Sequence, residues 1–568
     1  MTPIPSSGER ADAQNRRRCY AASTIALTGL LAGASSLLVS ARPPAIATTV
    51  LLLASLPAML LFAAGAIRIL LQSVLRPMPS RPRGREECGT VPLVVPVILR
   101  RPSDVALLRA CVDANLPMVA VRPMLFLIDG ADAAQRDIDE DAAMRRAVER
   151  ALAVEIASGD VALLERARRY DAIDDVWRGW ERKRGKIEEF CRLCTGDADS
   201  DFVDPLPDHM RGTAAFVTID VDTRLKADTM SHLVAGVDDH AAIVVPAIED
   251  VRRARPNLFE RLQAPFLFTR PFDPPEGFNQ EVLGRGIFYG KGLIVVSRFL
   301  ERTRGSIPER TVLSHDHLES MLAGAVSIPT AVVREEVPHQ RDHWERRQHR
   351  WIRGDLQIAP WILIGPLSLE ARLQLALIVA NQMTALGAMS ILIVACVLLP
   401  LAAMPTAMGL VLLLFRPTLP LLPLEAVRLM LDPRFDRVVR LRRVGASCST
   451  ELAAWLLALA HGPRDAAMTL HAAALVLWRR SWSGRDLLAW SDAAVRRERA
   501  DRWRRSAVLW LVPIVLVTVL PVGRPTILIL GILLWSLMPV LLEIEPEGRR
   551  RHRSLPHASQ ALRSRLSA

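Results

Sequence analysis

Thr218-Ile-Asp-Val-Asp-Thr223 is the stretch whose reading decides the fold. The apolar run leading into it, Ala214-Ala-Phe-Val-Thr-Ile219, has the length and character of a buried strand, and it ends in Asp220-x-Asp222. Two carboxylates therefore emerge together at a strand's C-terminal edge, where ligands of open α/β sheets collect. Two readings are open. The pair either starts a turn or holds a divalent cation, and Mg²⁺ or Mn²⁺ suits such hard oxygen ligands, each needing only one or two protein carboxylates. Acids further along the chain shift the weight to the second reading.

Outward from that stretch, other apolar runs alternate with helical stretches. Val91 to Leu99, Pro123 to Ile128 and Ala242 to Val245 read as further strands, which predicts an α/β module with a mixed, mostly parallel sheet. The second of these runs into Asp129, which either caps a helix or meets a ligand at the same edge. Arg182-Lys-Arg-Gly-Lys186 opens a helix with cations, either a solvated face or a place for Lys186 to meet a diphosphate. Gly284-Arg-Gly-Ile-Phe-Tyr-Gly-Lys-Gly292 is a plain loop or one that brings backbone close to a polar ligand, with Phe288 or Tyr289 offering a ring face beside Gly290. Leu313-Ser-His-Asp-His-Leu-Glu319 sets Asp316 between two histidines, better suited to a general base than to a metal cluster without remote partners. Arg346-Arg-Gln-His-Arg-Trp-Ile-Arg-Gly-Asp355 packs cations around Trp351. A patch for lipid head groups is the simpler account of it.

At 568 residues with its apolar half gathered in blocks, the chain reads as a soluble module carried by membrane segments. Residues 1–85 form a cytosolic start and two transmembrane helices, near Ala21 to Ala41 and Ala45 to Leu71, turned at Pro43-Pro44. Residues 86–365 are the soluble module. Residues 366–568 hold spans near Leu373 to Ala402, Thr406 to Leu424, Ala507 to Val522 and Thr526 to Leu542, six crossings in all, and a basic cytosolic tail. Arg416-Pro417 marks an early helix end or a cation inside the bilayer, and His461-Gly-Pro-Arg464 breaks Leu452 to Trp478 into two interfacial helices. Arginines before the first span and after the second (Arg16 to Arg18; Arg76, Arg81, Arg83, Arg85) put the module in the cytoplasm. The net charge of +12 is mostly arginine beside apolar segments, and no nucleic-acid motif or stacking aromatic series accompanies it, so nucleic acid is excluded as a partner. Seven scattered cysteines give no disulfide framework, and Cys191-x-x-Cys194 lacks a second pair for zinc.

With Asp129, Asp220-x-Asp222, Asp316 and Arg350-Trp351 in that order, the chain resembles the processive, inverting family 2 type of glycosyltransferase. It is most similar to the transferase region of bacterial cyclic β-1,2-glucan synthases, through Arg182-Lys-Arg-Gly-Lys-Ile-Glu-Glu189, Leu313-Ser-His-Asp316, Arg350-Trp-Ile-Arg-Gly-Asp-Leu-Gln357 with Pro360-Trp361, and Gly484-Arg-Asp-Leu-Leu-Ala-Trp490. The resemblance implies a cytosolic GT-A-like domain inserted between transmembrane helices of a bacterial inner membrane, UDP-glucose as donor and a growing glucan as acceptor. It implies Asp129 at the uracil, Lys186 near the nucleotide, Asp220 at ribose or metal and Asp222 as the main metal ligand. Phe288, Tyr289 and Gly290 would lie near the acceptor, Asp316 would be the base, and Arg350 and Trp351 would hold diphosphate and acceptor. Where the wider family reads Gln-x-x-Arg-Trp, this chain has Arg347, with Gln348 beside it. Linear osmoregulated-glucan glucosyltransferases resemble the chain at Leu313-Ser-His-Asp316 but show Gly-Asn where this chain has Gly354-Asp355. A catalytically silent nucleotide-sugar sensor is the reading from another class.

Overall fold

The computed structural model describes residues 7–39, 45–77, 91–197, 199–238, 240–251, 260, 275–336, 341–398, 409 and 411–489. Ten strands lie among them: β1 (Leu93–Leu99), β2 (Met124–Gly130), β3 (Val161–Arg166), β4 (Arg169–Asp171), β5 (Val176–Arg178), β6 (Ala215–Thr218), β7 (Arg224–Leu225), β8 (Ile243–Val251), β9 (Gly292–Val295) and β10 (Ala325–Glu336). Eight form one sheet in the order β3-β2-β1-β6-β9-β8-β10-β7, and β4 and β5 make a separate hairpin. β9 and β7 run against the other six, so the sheet is mixed and mostly parallel.

The strand sequences are nearly continuous apolar runs because both faces of the sheet are covered. Leu93, Val95, Phe126 and Ile128 point to one core with Leu108 and Val112 of helix Pro102–Asn115. Val94, Leu125, Leu127 and Phe216 point to the other, against Ile187, Phe190 and Cys191 of helix Arg182–Cys194. Cys191 and Cys194 are thus small apolar residues of that core, and burial pushes the Cys194 thiol up to about 12. β2 and β6 flank β1, and their C-terminal ends bring Asp129 and Asp220 to the same edge.

Two described helices are long and apolar enough to cross a membrane, Thr49–Val74 within helix Ala45–Val74, and Leu369–Ala395 within helix Leu369–Leu398. They pack together where Gly387 lets backbone approach Ala54. The first expected span is instead the inner part of one 33-residue helix, Ser7–Val39. Its Arg16 donates to the Arg76 carbonyl at 2.8 Å and Arg17 to the Leu283 carbonyl at 3.0 Å, so the helical pair is a hairpin whose basic ends meet the α/β unit.

Two expectations for the C-terminal half are corrected. Residues 452–478 do not break at His461-Gly-Pro-Arg464; a single helix runs from Arg437 to Trp478 with Pro463 inside it. Proline forfeits one helical hydrogen bond, but Leu459 and Ala466 on either side share an apolar cluster with Met389 and Leu392, which holds both halves in line. The expected span to Leu424 is shortened at Arg416-Pro417, where the early helix end of the two readings is the one observed: the chain turns there, and Arg416 makes a two-pronged ion pair with Glu451 at 2.9 and 3.0 Å. The turn at Pro43-Pro44, the last two expected spans and the tail lie outside the described residues, as does Trp490.

Gly387→Ala would set a methyl 2.2 Å from the Ala54 carbonyl oxygen, whereas the space at Gly29 is open within 4 Å. Overpacking of this kind costs about 1–3 kcal/mol. The thermal midpoint of the detergent-solubilised chain should therefore fall with Gly387→Ala and stay put with Gly29→Ala.

Candidate active site

The loop after β6 is fixed from behind. Asn115, fully buried at the end of its helix, donates to the Thr223 carbonyl at 2.9 Å and accepts from the Leu225 N–H at 2.7 Å. Thr223 N–H closes a turn on the Asp220 carbonyl at 3.0 Å, so the turn reading of Asp220-x-Asp222 holds, and the same turn presents both carboxylates.

Two ammonium groups meet Asp220. Lys183 Nζ lies 2.6 Å from Oδ1 and Lys291 Nζ lies 3.0 Å from Oδ2. Burial works to protonate Asp220, yet the two lysines outweigh it and hold its carboxyl well below the usual carboxylate range. Burial likewise works against the charge on both lysines and is outweighed, at Lys183 by Asp220 and Asp316 and at Lys291 by Asp220 and Glu335. Asp222 differs. Its side chain is exposed and has no hydrogen bond or ion pair among the described residues, and its carboxyl is raised by loss of water around the cleft and by Asp220 and Glu335.

Lys183 is aimed by strained backbone. Glu181 and Arg182 both take left-handed φ, 50° and 55°, a conformation costing roughly 1–2 kcal/mol per non-glycine residue. Ion pairs from Glu181 to Arg184 and from Arg182 to Asp132 hold the bend. The Lys183 ammonium also donates to the Gly290 carbonyl at 2.9 Å. Gly290 has φ +78°, and a Cβ there would lie 2.6 Å from Lys183 Nζ and 3.1 Å from both oxygens of Asp316. Only glycine leaves room for that approach, and through it the β6 acids and Asp316 share one cleft.

Asp316 begins the short helix Asp316–Glu319. Its Oδ1 is buried without a hydrogen bond, 3.6 Å from His315 Nδ1, which pairs with Glu319 at 2.7 Å. Burial disfavours charge on His315, but Glu319 and Asp316 outweigh it and raise its pKa. Helix Arg341–Gln357 closes the far side: Gly354 packs so tightly on Ser314 that a Cβ would meet its Cβ at 2.4 Å. On the same helix the Arg347 guanidinium lies 4.4 Å over the Trp351 ring and 3.6 Å from Glu335. The arginine in the expected glutamine's place thus stacks on the tryptophan itself. Arg350 and Gln348 are half-buried on this helix.

The structure therefore gathers Asp220, Asp222, Gly290, Asp316, Arg347 and Trp351. It corrects three expectations. Asp129 is no surface acceptor: only 2% exposed, it is held by Arg166 at 2.8 and 3.0 Å and by Lys186 at 3.1 Å, beneath Gly179. Lys186 does not face the cleft; its ammonium donates inward to the Val97 carbonyl at 2.5 Å, and burial lowers its pKa to about 8. Phe288 lies in the core, while Tyr289 remains half-buried, edge-on to His317 at 5.4 Å. Sequence reasoning missed Lys183, Lys291 and Glu335. The two lysines stood inside stretches singled out for other residues, and nothing local marked Glu335.

No family profile matches the chain. Over 222 residues it is 34% identical to the cyclic beta-(1,2)-glucan synthase NdvB of Rhizobium meliloti (strain 1021). The match takes in 35% of this chain and 8% of that protein, so the chain spans a small part of the relative's length. The likeness to a cyclic β-1,2-glucan synthase expected from the motifs is shown over that stretch. The mannosyltransferase PcManGT from Pyrobaculum calidifontis, solved with GDP-Man and Mn²⁺, superposes with a TM-score of 0.33 at 16% identity, covering 70% of this chain and 99% of that one, too loosely to carry an argument.

Asp129→Asn leaves Lys186 a buried cation without its counter-charge and Arg166 with Glu189 alone, 3.3 Å away, and breaking a buried pair in this way typically costs about 3–5 kcal/mol. Burial opposes the charge on Asp129, but Arg166 and Lys186 outweigh it and depress its folded pKa. Its contribution is therefore complete above the ordinary carboxylate range and is lost as pH falls below it. Denaturant unfolding at neutral pH should show the loss, and the gap between wild type and variant should narrow in acid.

Proposed function

We propose that this chain is a membrane-bound inverting glycosyltransferase of GT-A-like fold, extending a β-glucan of β-1,2 linkage from UDP-glucose with Asp316 as general base. The observation that carries the reading is the shared cleft. A carboxylate oxygen of Asp316 without a hydrogen bond sits across Gly290 from the lysine-bound Asp220, with Asp222 open to solvent beside it. The partial match to a glucan synthase supports the same class.

The residues fit a divalent cation. Asp222 is crowded by like charge from Asp220 and Glu335 and has a free carboxylate face, so Asp222, with Asp220 beside it, would hold Mg²⁺ or Mn²⁺. When bound, such an ion neutralises charge on a leaving diphosphate. Lys183 and Lys291 supply fixed positive charge at the same place, and Arg350 on the closing helix adds to it.

In the reaction, the acceptor hydroxyl oxygen forms a bond to the anomeric carbon while the bond from that carbon to the diphosphate oxygen breaks. UDP leaves with the electron pair, the hydroxyl proton passes to Asp316, and an α-linked donor becomes a β-linked product. General-base assistance of this kind contributes about 10²- to 10⁴-fold. Trp351, kept in place by Arg347, offers a ring face to the terminal sugar. The basic helix ends at Arg16 to Arg18 and Arg76 support a cytoplasmic catalytic unit.

Membranes carrying the chain, incubated with labelled UDP-sugars and Mg²⁺ or Mn²⁺, should build polymer from UDP-glucose, and linkage analysis should find β-1,2 bonds. Polymer from another sugar alone would overturn the glucan assignment. Asp316→Asn should abolish transfer while UDP binding, followed by titration calorimetry, is retained; equal loss of both would make Asp316 a structural carboxylate.

A further inference from the structure

Glu335, near the end of β10 and 5% exposed, divides its two oxygens between two parts of the cleft. Oε1 takes the Lys291 ammonium and accepts from Thr223 Oγ1 at 3.2 Å, both on the acid-bearing side. Oε2 faces Arg347 Nη2 at 3.6 Å, and that guanidinium is the one stacked 4.4 Å over Trp351. We propose that Glu335 is a positioning residue that couples the Asp220–Thr223 loop to the Trp351 helix, so that one carboxylate sets the spacing between the donor and acceptor sides of the cleft.

The chemistry calls for glutamate. Each oxygen answers a cation or a hydroxyl, so an acceptor-only group with two separated faces is required. Glutamine would turn one face into a donor and oppose a cation whichever way it flipped. Aspartate keeps the charge but is one methylene shorter, so it can satisfy one side and not both. β10 is a rigid platform for this: it pairs in parallel with β8 through Glu335↔Asp250 and antiparallel with β7 through Arg334↔Arg224. The donor and acceptor labels rest on the function proposed above; the mechanical coupling does not.

The test uses the full chain in detergent or nanodiscs and follows amide hydrogen exchange in segments 218–226 and 341–357, with β1 as a control for the fold. Glu335→Gln should speed exchange in both segments, by about tenfold or more, and leave β1 unchanged; Glu335→Asp should restore one segment. A change confined to one segment, or to neither, overturns the coupling. Should Glu335→Gln loosen β1 as well, Thr223→Val decides the matter. It removes one contact from Oε1 and touches nothing on the helix, yet coupling requires faster exchange in 341–357, and an unchanged helix overturns the proposal. With labelled UDP-glucose, Glu335→Gln should lower kcat by up to about 10²-fold, the scale of a misplacement near 1 Å, with donor KM and UDP affinity within about threefold. If the wild type transfers no sugar, the functional reading fails and the exchange result still stands or falls by itself.

Discussion

The cleft depends on lysine neutralising a crowd of carboxylates. Asp220, Asp222, Glu335 and Asp316 are drawn from three distant parts of the chain, and without compensation their mutual repulsion would hold the loops apart. Lys183 and Lys291 resolve this by sitting between them, Lys183 beside Asp220 and Asp316, and Lys291 beside Asp220, Glu335 and Asp222. At Asp222, which has no cation in contact, burial and the repulsion of Asp220 and Glu335 outweigh the attraction of Lys291 and Arg347, and it is also the acid most open to solvent. The arrangement is neutralised where it is buried and hungry for positive charge where it is open, which suits the metal–diphosphate complex proposed for this cleft.

Much of the α/β unit was legible because a doubly covered sheet demands apolar runs with no polar face, and such runs stand out in a chain otherwise rich in arginine. The acids at strand ends were legible for the same reason, since a carboxylate closing an apolar run has nowhere to go but the sheet edge. What the sequence hid was direction. Lys183 and Lys186 lie three apart on one helix and look equivalent, but only the first lies within reach of the cleft; the second is one turn deeper and meets the strand-end carbonyls below it. Phe288 and Tyr289 are neighbours pointing opposite ways, so only one could ever have faced a ligand.

Asp129 was obscured by a different effect. Its partner Arg166 closes the next strand over, so the two ends of neighbouring parallel strands satisfy each other across the edge. Nothing in either stretch taken alone reveals that pairing. Pro463 misled for a comparable reason: a local rule about helix breaking was overridden by apolar packing from residues some seventy positions earlier. Site residues that touch through the fold need the fold to be seen, and Glu335, unremarkable in its own sequence, is the plainest case.

The contact of Gly387 with Ala54 bears on how the chain is made. The whole α/β unit lies between these two residues, so the helix bearing Ala54 leaves the ribosome long before its mate exists. Until then its face toward that mate is without that partner, and the two can dock only after several hundred further residues have been synthesised. Biogenesis of this protein is thereby ordered: the apolar helical pair waits, the α/β unit matures, and the late helix locks the assembly.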